Sequence, residues 1–143
     1  MTQATPSYGQ ADATFQAVGG ETGVKKLVDC FYDILDTSER TQRIRAMHAP
    51  DLSISRDKLF RFLCGWMGGP KLYRETYGPI DIVNGHARFP IGQDDRDAWL
   101  WAMGQAIEQQ NYPQTLAEYL LIQLTVPADR ILAKQQSQQQ SEQ

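Results

Sequence analysis

Four stretches of this chain carry apolar side chains at three- and four-residue steps, and none shows a convincing two-residue alternation flanked by hairpin turns. The chain is therefore patterned to bury helical stripes. The clearest stripe is Val24, Leu27, Val28, Phe31, Ile34 and Leu35, which predicts an amphipathic helix from about Thr22 to Asp36. Tyr32 flanks it, so its hydroxyl can reach a neighbouring cavity. A second stripe, Leu59, Phe62, Leu63, Trp66 and Met67, predicts a helix capped by Ser53 or Ser55 and stopped at Gly68-Gly69-Pro70. A third lies between Gln93 and Gln109, with Trp99, Met103, Ala106 and Ile107 on one face and Leu100 alongside. Leu116, Tyr119, Leu120, Leu124 and Ile131 mark the last, with Pro127 expected to kink or end its main part. Shorter helical pieces are expected near Asp12–Val18, ending at Gly19-Gly20, and near Glu39–Met47, ending at Pro50.

The fold class is all-α, and helices of these lengths suit either an antiparallel bundle or a globin-like crossed sandwich. At 143 residues one domain is the default, and a core of that size needs no disulfide or structural metal. We place it at residues 11–133, between a polar N-terminal extension (1–10) and a glutamine-rich tail (134–143), both expected to be mobile. With 14 basic against 17 acidic side chains and no basic block, neither nucleic acid nor an anionic membrane is the expected partner. No apolar run approaches a membrane span, and the N-terminus lacks a leader pattern, so a soluble, cytoplasmic protein is expected. Cys30 and Cys64 sit inside helical patterns and read as packed thiols.

From Lys71 to Phe89 the apolar period fails, and Gly78-Pro79, Asn84-Gly85 and Pro90 interrupt the chain. So long an irregular segment in a small domain is usually functional or ordered by something other than helix packing. Only two histidines exist, His48 and His86, both in breaker-rich connections, where a lone histidine is more often solvated. No HExxH, ExxH pair or His/Cys cluster supplies the converging ligands of zinc or di-iron sites. Haem iron is different, because one axial side chain suffices when the porphyrin supplies the four equatorial bonds. A flat apolar cofactor also gives such a segment a surface to order against.

The segments FQAVGG (15–20), FYDIL (31–35), HAPDL (48–52), KLFRFLCGWMGGPKLY (58–73) and RDAWLWAM (96–103), in that order around His86, resemble the group II truncated haemoglobins. The resemblance spans roughly residues 13–132. Its most specific part is WMGGPxLY, a histidine sixteen residues after that proline, and the tryptophan of RDAWL thirteen beyond the histidine. It implies a 2-on-2 helical sandwich around haem b (iron protoporphyrin IX).

The same resemblance assigns roles by position. His86 matches the proximal axial ligand of the iron. Trp99 matches the distal tryptophan whose indole N–H can only donate, and Tyr32 a second distal donor. His48 falls at the variable distal corner, with Met47 as the competitor if the corner is shifted by one residue. Leu59, Phe62, Leu63 and Trp66 are implied as the apolar distal wall, and Phe89 and Ile91 as the wall beside His86. The chain departs from the family before the histidine: where relatives read LRxRHxPF it has Ile82-Val83-Asn84-Gly85-His86-Ala87-Arg88-Phe89. Val83 and Gly85 thus replace the basic residues that commonly pair with propionates, leaving Lys58, Tyr73 and Arg88 as candidates and implying weaker haem retention.

The expected function is binding of dioxygen and other diatomic ligands at an iron with one open axial position. A polar cage should slow release, which favours chemistry on the ligand or sensing over bulk transport. Nitric-oxide dioxygenation, peroxide reduction and oxygen delivery enter as the family's candidate activities, the redox ones needing an electron donor that the sequence does not identify. For peroxidase chemistry, Trp99 and Tyr32 are candidate oxidisable sites and His48 a proton handler. The alternative from another class is a cofactor-free helical interaction or signalling module with both histidines solvated.

Overall fold

The computed structural model describes residues 8–79 and 91–141, with side chains described as far as residue 133. Among these residues the chain forms helices and no strand, as an all-α truncated globin requires. The helices are α1 (Ala13–Val18), α2 (Gly20–Thr37), α3 (Gln42–Ala46), α4 (Ser53–Trp66), α5 (Leu72–Tyr77), α6 (Gln93–Gln109) and α7 (Gln114–Ser141), with a 3-10 turn at Glu39–Thr41.

The centre of the fold is α2. Its stripe Val24, Leu27, Val28, Phe31 and Leu35 is at most 1% exposed, and it packs against both α4 and α6. Leu63 and Cys64 lie on α4 at this contact and Ala102, Met103 and Ala106 on α6, which also packs on α7, the helix of Leu116, Leu120 and Leu124. Helix pairs α2/α4 and α6/α7 thus form the two layers of a 2-on-2 sandwich. Fully burying each large aliphatic or aromatic side chain of this kind contributes about 1.5–3 kcal/mol.

Local chemistry explains the boundaries. Gly19, at φ 104°, ends α1 in the left-handed conformation, and its N–H bonds the carbonyls of Phe15 and Gln16. Thr41 is fully buried and closes α2, its Oγ1 donating to the Leu35 carbonyl at 2.8 Å. The start of α4 differs from expectation. Ser53 is its first helical residue, and the local acceptor is Asp51, whose Oδ1 receives the Ser53 N–H at 2.8 Å and hydroxyl at 2.6 Å. The short side chain two residues earlier does the work assigned to serine.

The glycine pair of the WMGGP motif is a docking requirement. Gly68 (φ 92°) lies against the Ala11 carbonyl, and a Cβ on Gly69 would meet the Phe15 ring at 2.6 Å. The N-terminal residues can therefore close over the end of α4, where the Phe15 N–H bonds the Met67 carbonyl at 3.1 Å. Further along, α5 occupies part of the stretch expected to be irregular; six helical residues before Gly78 are too few to register as a period.

Helix α7 continues through Pro127 instead of ending there, and its backbone stays helical through the glutamine-rich segment to Ser141. Proline at 127 removes only one intrahelical donor, and two turns of apolar contact precede it. At the other end, Tyr8 packs on Tyr119 of α7 with ring centroids 5.3 Å apart, and Gly9 donates to Thr14 Oγ1 at 2.9 Å.

Candidate functional site

Four aromatic rings from three elements form a continuous line. His48, in the corner after α3, meets the Tyr32 ring edge-on, with centroids 5.8 Å apart and planes at 81°. Tyr32 meets Phe31 at 5.0 Å and 76°, and Phe31 meets Trp99 of α6 at 5.4 Å and 62°. Each contact has the edge-to-face geometry favoured by aromatic quadrupoles. The residues proposed from sequence for one side of a ligand pocket thus converge, with Phe31 as the piece that links them.

Tyr32 is 6% exposed, and among the described residues its hydroxyl makes no hydrogen bond. Burial drives its phenol well above the ordinary value, an effect that the Arg56 guanidinium opposes. It is therefore a protonated donor throughout the physiological range. Trp99 is half-buried, and its indole N–H likewise has no acceptor among the described residues. The Tyr32 hydroxyl and the Trp99 indole N–H are donors on neighbouring helices, a chemistry that suits a ligand able to accept from them.

His48 is half-buried and its Nδ1 lies 2.9 Å from the Ile44 carbonyl. A carbonyl only accepts, so Nδ1 carries the proton in this contact and Nε2 has acceptor character in the neutral ring. The same carbonyl also accepts the Met47 N–H at 3.0 Å. His48 is in direct ring contact with Tyr32.

On α4, Leu59, Phe62 and Trp66 recur at three- and four-residue steps and are each only half-buried while packed on the core. Leu63, placed with them from sequence, is fully buried. The trio and Trp99 are apolar side chains that the core leaves partly uncovered, as the walls of a site for a flat apolar cofactor would be. These residues fit the group: apolar walls, two donors and one imidazole.

Lys58 and Tyr73, assigned to the propionate side, come together through a residue that sequence reasoning missed. The Lys58 ammonium lies 5.4 Å from the Tyr77 ring centroid, and Tyr73 stacks on the same ring at 5.1 Å. Tyr77 is itself fixed by donating to Asp57 Oδ2 at 2.6 Å, a bond that pushes the phenol pKa up and the carboxyl pKa down. Nothing in the sequence separates Tyr77 from a surface tyrosine until α5 is seen to pack on α4. Ile91 is half-buried just before α6. His86 and Phe89, together with Val83, Gly85 and Arg88, lie outside the described residues.

A family model described as bacterial-like globin matches residues 13–132. The chain is a bacterial-like globin. Within that family it is a group II truncated haemoglobin, as its similarities show. It is 28% identical over 130 residues to the group 2 truncated hemoglobin YjbI of Bacillus subtilis, covering 91% of this chain and 96% of that protein. Its fold superposes with a TM-score of 0.81 on a cold-adapted truncated hemoglobin from Pseudoalteromonas haloplanktis, at 31% identity, covering 83% of this chain and 96% of that one. The group II 2-on-2 hemoglobin of Agrobacterium tumefaciens gives a TM-score of 0.80 at 30% identity, covering 92% and 97%. Membership of this truncated haemoglobin family carries haem-based ligand binding as the general activity and favours it over a cofactor-free interaction module. No helix among the described residues is long and apolar enough to cross a membrane.

Proposed function

We propose that this truncated haemoglobin holds haem b through His86 and retains dioxygen or another diatomic ligand under the cage of Tyr32, Trp99 and His48. Haem, when bound, would supply an iron able to take a diatomic ligand and exchange electrons with it. The protein's part is retention and orientation. Tyr32 and Trp99 each donate a hydrogen bond to the partial negative charge at the outer end of the ligand, and His48 sets the polarity beside Tyr32. A single donor of this kind contributes about 1–3 kcal/mol, so two of them slow release by orders of magnitude.

Retention of this strength suits a reaction on the held ligand better than bulk delivery. Nitric-oxide dioxygenation and peroxide reduction are the reactions this reading favours, with an external electron donor regenerating the ferrous state. Leu59, Phe62 and Trp66 keep water from the ligand side, and Phe31 fixes the spacing between the two donors. The observation carrying the proposal is the ring line His48–Tyr32–Phe31–Trp99, which brings both donors into one aromatic cluster.

Dioxygen dissociation from the ferrous protein tests it. Trp99→Phe and Tyr32→Phe are each expected to speed release by about tenfold or more, while the apolar packing persists. Release unchanged in both variants would remove the cage from the account.

A further inference from the structure

Arg56 stands on α4 and reaches back across α2. Its Nη1 donates to the Asp29 carbonyl at 3.2 Å and to Asp29 Oδ1 at 3.1 Å, and its Nη2 donates to Asp33 Oδ1 at 2.8 Å. Pinned this way, its Cζ lies 5.7 Å from the centroid of the Tyr32 ring. That ring already has Phe31 and His48 edge-on against it, so among the described residues Arg56 supplies its third ring contact and its cationic one.

Two physical effects follow from this placement. A guanidinium near an aromatic face is attracted by the ring quadrupole, which restrains the ring. A positive charge beside a phenol also polarises the O–H bond and makes it a stronger donor. The anchoring carboxylates weaken this field only in part. Their side chains are 40% and 71% exposed, for Asp29 and Asp33, against 27% for Arg56, and Lys25 lies 3.6 Å from Asp29. Water screens the outer charges more than the inner one.

We propose that Arg56 is a positioning residue for Tyr32: its charge, held in place by Asp29 and Asp33, restrains the phenol and strengthens its hydroxyl as a donor to the ligand, thereby slowing release. This rests on the reading of Tyr32 as a ligand donor. No local spacing links the two residues, because they come together only when α4 crosses α2.

The test uses the haem-loaded full chain with Arg56→Gln and Arg56→Lys, each made in the wild-type and Tyr32→Phe backgrounds. Three quantities are read: dioxygen release, the C–O stretching frequency of the ferrous carbon monoxide form, and the tyrosine 13Cζ resonance that Tyr32→Phe deletes. With Tyr32 present, Arg56→Gln is expected to speed release about 3- to 10-fold. It should also raise the C–O frequency and shift the Tyr32 resonance. Arg56→Lys should recover at least half of these changes. In the Tyr32→Phe background Arg56→Gln should change release by less than about twofold, because the hydroxyl it acts through is gone.

Equal effects of Arg56→Gln in both backgrounds would show general loosening of the α2–α4 contact and overturn the proposal. So would no effect with Tyr32 present, or no recovery by lysine. If Tyr32→Phe itself leaves release and the C–O frequency unchanged, the donor reading of Tyr32 fails and this inference falls with it. An effect of Tyr32→Phe without any effect of Arg56→Gln overturns the inference alone.

Discussion

Arg43 on α3 reaches the first turn of α6, where its Nε lies 2.8 and 3.0 Å from the two carboxylate oxygens of Asp95. Asp95 is 6% exposed, and its Oδ2 also accepts the Gly92 N–H at 2.9 Å, closing the start of the helix. One buried carboxylate therefore ties the corner leading to His48 to the helix that carries Trp99.

Asp95→Ala is expected to destabilise the fold by about 1–3 kcal/mol, since it removes a helix-start acceptor and a charged hydrogen bond together. Arg43→Ala should cost less, because the Arg43 side chain is 65% exposed and solvent screens the pair. Denaturant unfolding of the two variants checks the order. A larger loss from Arg43→Ala would contradict it.

How much of this was legible beforehand depends on the range of the interaction. The α2 and α6 stripes follow from periodicity, and the helix observed over Gln93–Gln109 has the expected bounds. Gly68-Gly69 stopped α4 as expected, but that the pair also makes room for Ala11 and Phe15 needed the fold. The ring line could be anticipated only through family likeness, since Tyr32, His48 and Trp99 share no local spacing. Arg56, Tyr77 and the Arg43–Asp95 tie had no signal at all. Each is a surface-type residue whose role arises from contact between helices distant in sequence. The six-residue α5 was missed because it is shorter than a hydrophobic period can reveal.

Cys64 is fully buried, and desolvation pushes its thiol up to about 11 from an ordinary value of 9.0. Between these values the unfolded chain loses the proton first, so it binds fewer protons than the folded one and stability falls as pH rises. A shift of this size corresponds to about 2–3 kcal/mol over the whole window, fully present below pH 9. Tyr112 is pushed up to about 12, chiefly by desolvation, and steepens the decline above pH 10. Cys64→Ala should therefore flatten the stability profile most visibly between pH 9 and 10, whatever it costs at neutral pH. An unchanged slope there, measured by urea unfolding, would rule out the buried thiol as its source.

Lys58 has no carboxylate partner among the described residues, and it sits beside Tyr73 and Tyr77. With Val83 and Gly85 replacing the usual basic residues, we expect haem to leave faster than from relatives that carry both. Lys58→Ala should accelerate transfer to apomyoglobin by a further factor of about 2 to 5, the scale of an exposed ion contact, and Lys58→Arg should not. Retention equal to that of such relatives, or indifference to Lys58→Ala, would place propionate anchoring elsewhere.

One imidazole, that of His86, is expected to hold the cofactor, and the absorption spectrum of haem-replete protein reads it directly. Wild-type protein should show an intense band near the blue edge of the visible. His86→Gly should lose or displace that band, and added imidazole should restore it by occupying the vacated position. A His86→Gly protein with the wild-type spectrum and unaltered carbon monoxide binding would contradict the assignment of His86 as the axial ligand.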